Sequence, residues 1–222
     1  MVKIPRKRVK NRDDMILEYC KWKKILHIWA CDAPYTESKY NWEMGSLLYK
    51  KIDDVCKHQL WIDLDKTSIQ FLNWKKFKNS SIKEFDMNNL ERLHYAPDVI
   101  IFGETIEHLM NLGVAFTNLK KVMGKETVLI VSTPNCYALN STILNLFWIE
   151  MFHEDHKVIF SYWILKKLLE FNWIYTTDFY FCSLPHRGSK IVTKIFDWLI
   201  DNIVTRLFPQ LYYTLLFVCK IK

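Results

Sequence analysis

The order of the apolar runs limits the possible folds of this chain more than any other feature. Short, nearly continuous apolar stretches alternate with longer stretches whose apolar residues recur at helical spacing. That alternation belongs to a parallel sheet joined by helices, because a strand buried on both faces reads as an apolar run. Ile25-Leu26-His27-Ile28-Trp29 predicts a first strand, and Leu60-Trp61-Ile62-Asp63-Leu64 a second. Between them lie a polar loop over 32–43 and a helix over 46–57 with Leu47, Leu48, Ile52 and Val55 on one face. Residues 68–74 read as the next helix, and 81–85 as a weak third strand ending at Asp86. The fourth strand is the clearest, Asp98-Val99-Ile100-Ile101-Phe102, breaking at Gly103 into the start of a helix. A helix follows over 112–123 with Gly124 placed as its C-cap, then a strand over 127–132 closed by Thr133-Pro134-Asn135. The remainder reads as a helix over 161–171, a strand over 175–183, a helix over 189–207 and a closing strand over 211–220.

Composition narrows the function. Only 5 of the 222 residues are Gly, and neither G-x-G-x-x-G nor G-x-x-x-x-G-K-[ST] occurs, which excludes the glycine-dependent nucleotide and phosphate loops. With 50% apolar residues the chain has ample core material, so disorder is excluded. The net charge of +7 favours anionic surroundings without naming a partner. Lys3, Arg6, Lys7, Arg8, Lys10 and Arg12 make residues 1–24 a basic arm and helix ahead of a single domain over 25–222. No aromatics interleave these charges, so the arm reads as solvated rather than as a nucleic-acid clamp. The six cysteines are irregularly spaced, without a C-x-x-C pair, and read as buried reduced thiols of a cytoplasmic protein. No window is long and apolar enough for a transmembrane segment, and the oligomeric state leaves no readable trace.

Four landmarks in order carry a resemblance. Asp63 ends the second strand, Asp86 follows the third, the fourth runs into Gly103-Glu104-Thr105-Ile106-Glu107-His108, and the fifth ends in Thr133-Pro134-Asn135. In these the chain resembles class I methyltransferases that use S-adenosylmethionine. The resemblance implies an α/β, Rossmann-like sheet of seven strands, mostly parallel with an antiparallel last strand and helices on both faces. It further implies that Asp63 binds the cofactor's ribose, that Asp86 reaches the adenine amino group, and that Leu64, Met87 and Gly103 line the same site. The family places a glycine-rich turn after the first strand, whereas this chain has Trp29-Ala30-Cys31-Asp32-Ala33-Pro34. Trp29 stands where the first glycine is expected, so either its indole points away from the cofactor or it weakens cofactor binding. Ala30 is small enough to keep part of the groove open, and Asp32 stands within reach of the cofactor's amino group.

Glu104-x-x-Glu107-His108 is the more specific signal. On a helix, positions i, i+3 and i+4 share a face, so two carboxylates and an imidazole would converge. His153-Glu154-Asp155-His156 follows later. Carboxylates with imidazoles suit a divalent ion, and nitrogen ligands favour manganese or iron over magnesium. The pattern resembles metal-dependent O-methyltransferases acting on the 3′-terminal ribose of small RNAs, and sugar O-methyltransferases acting on vicinal diols. The resemblance implies Glu104, Glu107, His108 and His156 as metal ligands, with His153 a further candidate. His153 or Asp155 would accept the hydroxyl proton beside His108. The alternative is that Glu107 and His108 only cap a helix or shape the pocket.

A carbohydrate acceptor is the first expectation, because Tyr35, Tyr40, Trp42, Trp148, Phe152, Tyr162 and Trp163 supply aromatic faces around the expected mouth. The alternatives are that several of these are core, that the acceptor is RNA, favoured by the charge, or that the chain is a non-catalytic methyltransferase-like binding module. Residues 189–207 most simply cover the sheet, although Lys190, Lys194 and Arg206 give that helix a basic face suited to a membrane or partner.

Overall fold

The structure is a computed structural model that describes residues 3–29, 31, 36–41, 47–150, 153–183 and 200–222. Its strands are β1 (Arg8–Val9), β2 (Lys24–Ile28), β3 (His58–Asp63), β4 (Ser80–Glu84), β5 (Val99–Gly103), β6 (Val128–Pro134), β7 (Ile174–Cys182) and β8 (Thr214–Ile221). They form one sheet in the order β1-β7-β8-β6-β5-β2-β3-β4. Strands β4, β3, β2, β5 and β6 are parallel, and β8 runs antiparallel to both β6 and β7.

Pleating divides the apolar runs between two layers. Leu26, Ile28, Ile100, Phe102, Leu129 and Val131 face one core, which α5 (Leu112–Val122) and α7 (Tyr162–Phe171) cover through Phe116, Leu119, Leu165 and Leu169. Ile25, Val99, Ile101 and Ile130 face the other, covered by α1 (Arg12–Cys20) and, after the short α2 (Thr36–Asn41), by α3 (Leu48–Asp53) through Ile16, Cys20 and Ile52. Polar side chains start the helices where their backbone N–H groups lack partners. Asp65 accepts from Ser68 N before α4 (Lys66–Asn73), Asn111 from Val114 N before α5, and Ser161 from Ile164 N before α7.

Several expectations are corrected. The sheet has eight strands, not seven, because Arg8–Val9 pairs parallel with β7. The basic stretch is tethered there: Lys7 Nζ lies 2.6 Å from Asp178, and Arg8 Nη1 donates to the Tyr212 hydroxyl at 3.0 Å. Gly124 is not a left-handed C-cap. Met123 caps α5 in an extended conformation, and no described glycine has positive φ. The closing strand begins at Thr214, because Pro209 opens a 3-10 turn over Pro209–Leu211. The helix expected over 46–57 is shorter, with residue 46 outside the described residues. Of 189–207, residues 189–199 lie outside the described residues, and the remainder is a π-helical turn, Ile200–Val204, running into Thr205–Leu207.

After β2 the chain builds β3 and β4 on one side, then returns to build β5 on the other. The carboxyl ends of β2 and β5 therefore flank the point where strand order reverses, and open α/β sheets hold their ligands in the crevice there.

Candidate functional site

Both strands that flank the crevice end in a non-glycine residue with left-handed backbone. Trp29 follows β2 with φ 57° and Glu104 follows β5 with φ 49°. Such residues persist where surrounding contacts over-determine them. Trp29 N donates to Ile62 O at 3.0 Å, and Glu104 N donates to Ser132 O at 2.8 Å. The Trp29 indole packs on the main core and meets the His108 ring across the crevice, with centroids 5.7 Å apart. Gly103 suits its place because an added Cβ would stand 3.2 Å from Ser132 Oγ.

The turn after β5 is not the expected α-helix. Residues Ile106–His108 form one 3-10 turn, so Glu104 does not share a face with Glu107 and His108. Its carboxylate faces α1 instead, where Arg12 Nη1 lies 3.1 Å from Glu104 Oε1. The convergent set is Glu107, His108 and His156, whose candidate ligand atoms all lie within 4.8 Å of one another. Backbone pairing builds it: the Glu107 carbonyl accepts from Lys157 N at 2.7 Å and Val158 N at 3.1 Å, which seats His156 against the turn. The His108 and His156 rings are 4.9 Å apart.

Glu107 is 2% exposed. Its Oε2 accepts from Thr133 Oγ1 at 2.9 Å, while its Oε1 is buried without a hydrogen-bond partner. Burial, with the Glu104 carboxylate adding to it, pushes the Glu107 carboxyl up to about 8. Burial first, and then neighbouring histidines, lower both His108 and His156 below the ordinary imidazole value. An orphaned buried carboxylate oxygen beside two imidazoles kept neutral is a donor set that fits a divalent cation.

His153 and Asp155 stand at the rim. His153 Nδ1 accepts from Asp155 N at 3.3 Å, and the His153 ring is 5.7 Å from His156 and 6.3 Å from His108. Sequence reasoning missed Thr133 and Arg12. Thr133 was hidden in a strand-closing tripeptide, and Arg12 in a charge run that carries no positional information.

On the other side of the crevice, Asp63 is committed to backbone. Its Oδ1 accepts from Leu64 N at 2.7 Å and Asp65 N at 3.0 Å, and its Oδ2 from Cys31 N at 3.0 Å. A cleft of about 370 Å³ opens beside it, lined by Leu64, Glu84, Phe85, Asp86, Asn89 and Arg92. Asp86 holds that wall by accepting from Asn88 N at 2.8 Å. Met87, next along the chain, packs into the main core. Ala30 and Asp32 lie outside the described residues. This cleft sets Leu64 and Phe85 beside Glu84, Asp86, Asn89 and Arg92, a mixed lining that can receive the adenosine half of S-adenosylmethionine, whereas the Trp29 and His108 rings meet at the switch point. Of the expected aromatic mouth, Tyr162 is core against Phe179 and Phe217, and Tyr40 packs on Phe71 and Phe77. Trp148 and Trp163 are exposed; Tyr35, Trp42 and Phe152 lie outside the described residues.

No protein-family model and no curated protein matches the chain. Solved structures do. A SAM-dependent methyltransferase from Archaeoglobus fulgidus is similar with TM-score 0.59 and 17% identity, over 94% of this chain and 91% of that one. One from Aquifex aeolicus gives TM-score 0.60 and 12% identity, over 96% and 90%. The N-methyltransferase NodS from Bradyrhizobium japonicum WM9, in complex with S-adenosyl-L-homocysteine, gives 0.57 and 13%, over 95% and 85%. At such low identity the likeness establishes one thing, that this chain has the α/β Rossmann-like fold of SAM-dependent methyltransferases.

Proposed function

We propose that the chain is a SAM-dependent O-methyltransferase acting on a sugar hydroxyl of a glycan, with a divalent metal, manganese or magnesium, held by Glu107, His108 and His156. The observation that carries this reading is the convergence of those three side chains beside the switch point of a methyltransferase fold. The cofactor supplies an electrophilic methyl group, and the metal would supply Lewis acidity and a template for two neighbouring oxygens. The protein's own residues do the rest. Asp86 and Leu64 receive the adenosine half of the cofactor. Glu107 is held by Thr133 with its second oxygen directed to the cluster. His153, exposed at the rim, takes the acceptor's proton as the methyl passes from sulfur to oxygen. Two neutral imidazoles favour manganese of the two ions.

A cytoplasmic location belongs with this proposal and is supported by six cysteines that form no disulfide with one another. One observation favours a second reading. Trp29 touches His108 across the crevice, which suits a non-catalytic module. RNA offers the same vicinal diol at a 3′-terminal ribose.

Incubation with methyl-labelled cofactor and manganese, offering glycans and RNA oligonucleotides side by side, separates these readings. Label on carbohydrate alone is expected. Label on RNA ends alone overturns the sugar acceptor, and absence of cofactor binding at millimolar concentration leaves the non-catalytic reading.

A further inference from the structure

The amino edge of the sheet lies opposite the candidate site and carries rings and charges that neither the fold nor the site uses. Strands β2 to β7 begin there and β8 ends there, because β8 alone runs antiparallel. Seven strands side by side make an edge about 30 Å long, at about 4.8 Å per strand. The loops leading into it expose four aromatic side chains, Trp22 by 84%, Trp74 by 86%, Phe171 by 80% and Trp173 by 67%. Folding gives no reason for two of them. Trp22 and Trp173 stand just past the ends of α1 and α7 with φ 59° and 62°, a position where glycine costs least. A large ring there adds backbone strain and gains little burial.

The same loops are basic. Lys23, Lys24, Lys57, Lys76, Lys78 and Lys125 are exposed and form no ion pair among the described residues. The acidic neighbours are largely neutralised: Glu18, Glu91 and Glu126 pair with Lys21, Lys121 and Lys220 at 2.7, 3.2 and 2.9 Å. Against the six lysines stand two carboxylates without an ion pair, Asp54 and Asp98, and Asp98 already accepts from Lys24 N at 2.8 Å. Backbone hydrogen bonds tie the loops to one another. Lys57 N donates to Lys23 O at 3.0 Å, Trp22 N to Val55 O at 2.9 Å, Asp98 N to Lys24 O at 2.8 Å and Gln59 N to Asn79 O at 2.8 Å. The edge is thus organised in advance, and little order has to be acquired on binding. Along the chain it is invisible, because its rings and lysines come from five separate loops.

We infer that this edge docks single-stranded nucleic acid, with bases stacked on the rings and phosphates held by the lysines. The inference does not rest on the proposed transfer reaction, whose site lies at the carboxyl edge, across strands about 20 Å long. Rings interleaved with cations suit a strand, because phosphates recur along its backbone and every base offers a π-face. Two features favour this over a bilayer. Among the described residues these loops expose no Leu, Ile, Val or Met beside the rings. The three Trp rings also come from separate loops with lysines between them, so they form no continuous apolar patch. A duplex keeps its bases stacked and would leave the rings without partners. Neither a ring nor an ammonium group reads the 2′-hydroxyl, so RNA and DNA bind alike.

The test is fluorescence anisotropy of labelled oligouridylate and oligothymidylate, about 16 nucleotides long, with the full chain. Saturable binding of both is expected, with quenching of Trp emission. Six phosphate contacts would weaken it by about 100-fold or more between 50 and 200 mM salt. Trp22→Ala/Trp74→Ala should lose about tenfold or more. Lys23→Gln/Lys76→Gln should lower the salt slope by about 1. Phe147→Ala/Trp148→Ala is the control, because that exposed pair follows α6 (Leu139–Asn145), beyond the carboxyl end of β6, and is flanked by Glu150. Unchanged circular dichroism keeps loss of fold from imitating loss of binding. No binding of either oligonucleotide at the lower salt overturns the proposal, as does equal loss in the control or equal binding of a duplex of the same length. So does flotation with phosphatidylglycerol vesicles that excess oligonucleotide does not displace, since the edge would then be a bilayer surface. None of these readings needs cofactor or methyl transfer, which calorimetry and labelling report separately.

Discussion

The turns after β2 and β5 begin alike and end in opposite chemistry. Each leaves a parallel strand through a left-handed residue that is not glycine, Trp29 in one and Glu104 in the other. Glu104 is fixed by charge, through Arg12 on α1, and the turn beyond it places Glu107 and His108. Trp29 is fixed by apolar packing, and its indole leans on the very His108 that the other turn supplies. A strained backbone therefore does not dictate what a turn is for; the contacts that hold it do. One half of the site is assembled around a buried carboxyl with one oxygen lacking a hydrogen-bond partner, and the other around an aromatic side chain at the end of β2.

The largest expected effect breaks the charged half. Glu107→Ala should abolish methyl transfer, by about 100-fold or more, and remove manganese binding measured by calorimetry. Chelation of the wild-type protein should do the same and be reversed by added manganese. Full activity after chelation would discard the metal while leaving the methyltransferase reading intact.

The pH dependence of stability sharpens the comparison next, through the raised Glu107 and the lowered His108 and His156. Folded Glu107 keeps its proton to higher pH than the unfolded chain does, so metal-free stability is lost as pH rises from the ordinary carboxyl range toward about 8. His108 and His156 are lowered, so stability is lost as pH falls through 6.5. Manganese needs the deprotonated forms of all three, so the rise in Tm it causes should grow between pH 6 and pH 8 in calorimetric scans. A constant shift would contradict the ligand set.

Arg12→Ala should cost about 2 kcal/mol by chemical denaturation, discounted for the partial exposure of its pair with Glu104. Manganese stoichiometry should stay at one, since Glu104 lies outside the cluster; loss of the ion would restore Glu104 as a ligand. The smallest effect concerns the apolar half. Trp29→Gly relieves about 1 kcal/mol of backbone strain but loses more in packing, so stability should fall slightly. Cofactor affinity should rise about fivefold as the crevice opens. Weaker cofactor binding in this variant would show the indole to be part of the cofactor's seat.

The central strands were legible because burial on both faces leaves a continuous apolar signature, as in Val99–Gly103 and Val128–Pro134. Arg8–Val9 was not, since two residues cannot display a period and one of them is charged. The site was legible in its members and not in its geometry. Glu107 and His108 were singled out by spacing and His156 through the family resemblance, but helical spacing was assumed where the backbone makes a 3-10 turn after a left-handed Glu104. Thr133 became visible only when the sheet set β6 beside β5. The direction of the Trp29 indole depends on a tertiary contact with a residue 79 positions away, which no local pattern encodes.

Titration calorimetry of S-adenosylmethionine into the full chain, with and without manganese, tests the central claim most directly. The account predicts saturable binding at one cofactor per chain, with Asp86→Ala weakening it about tenfold or more. No heat of binding at millimolar cofactor, in either condition, would contradict it.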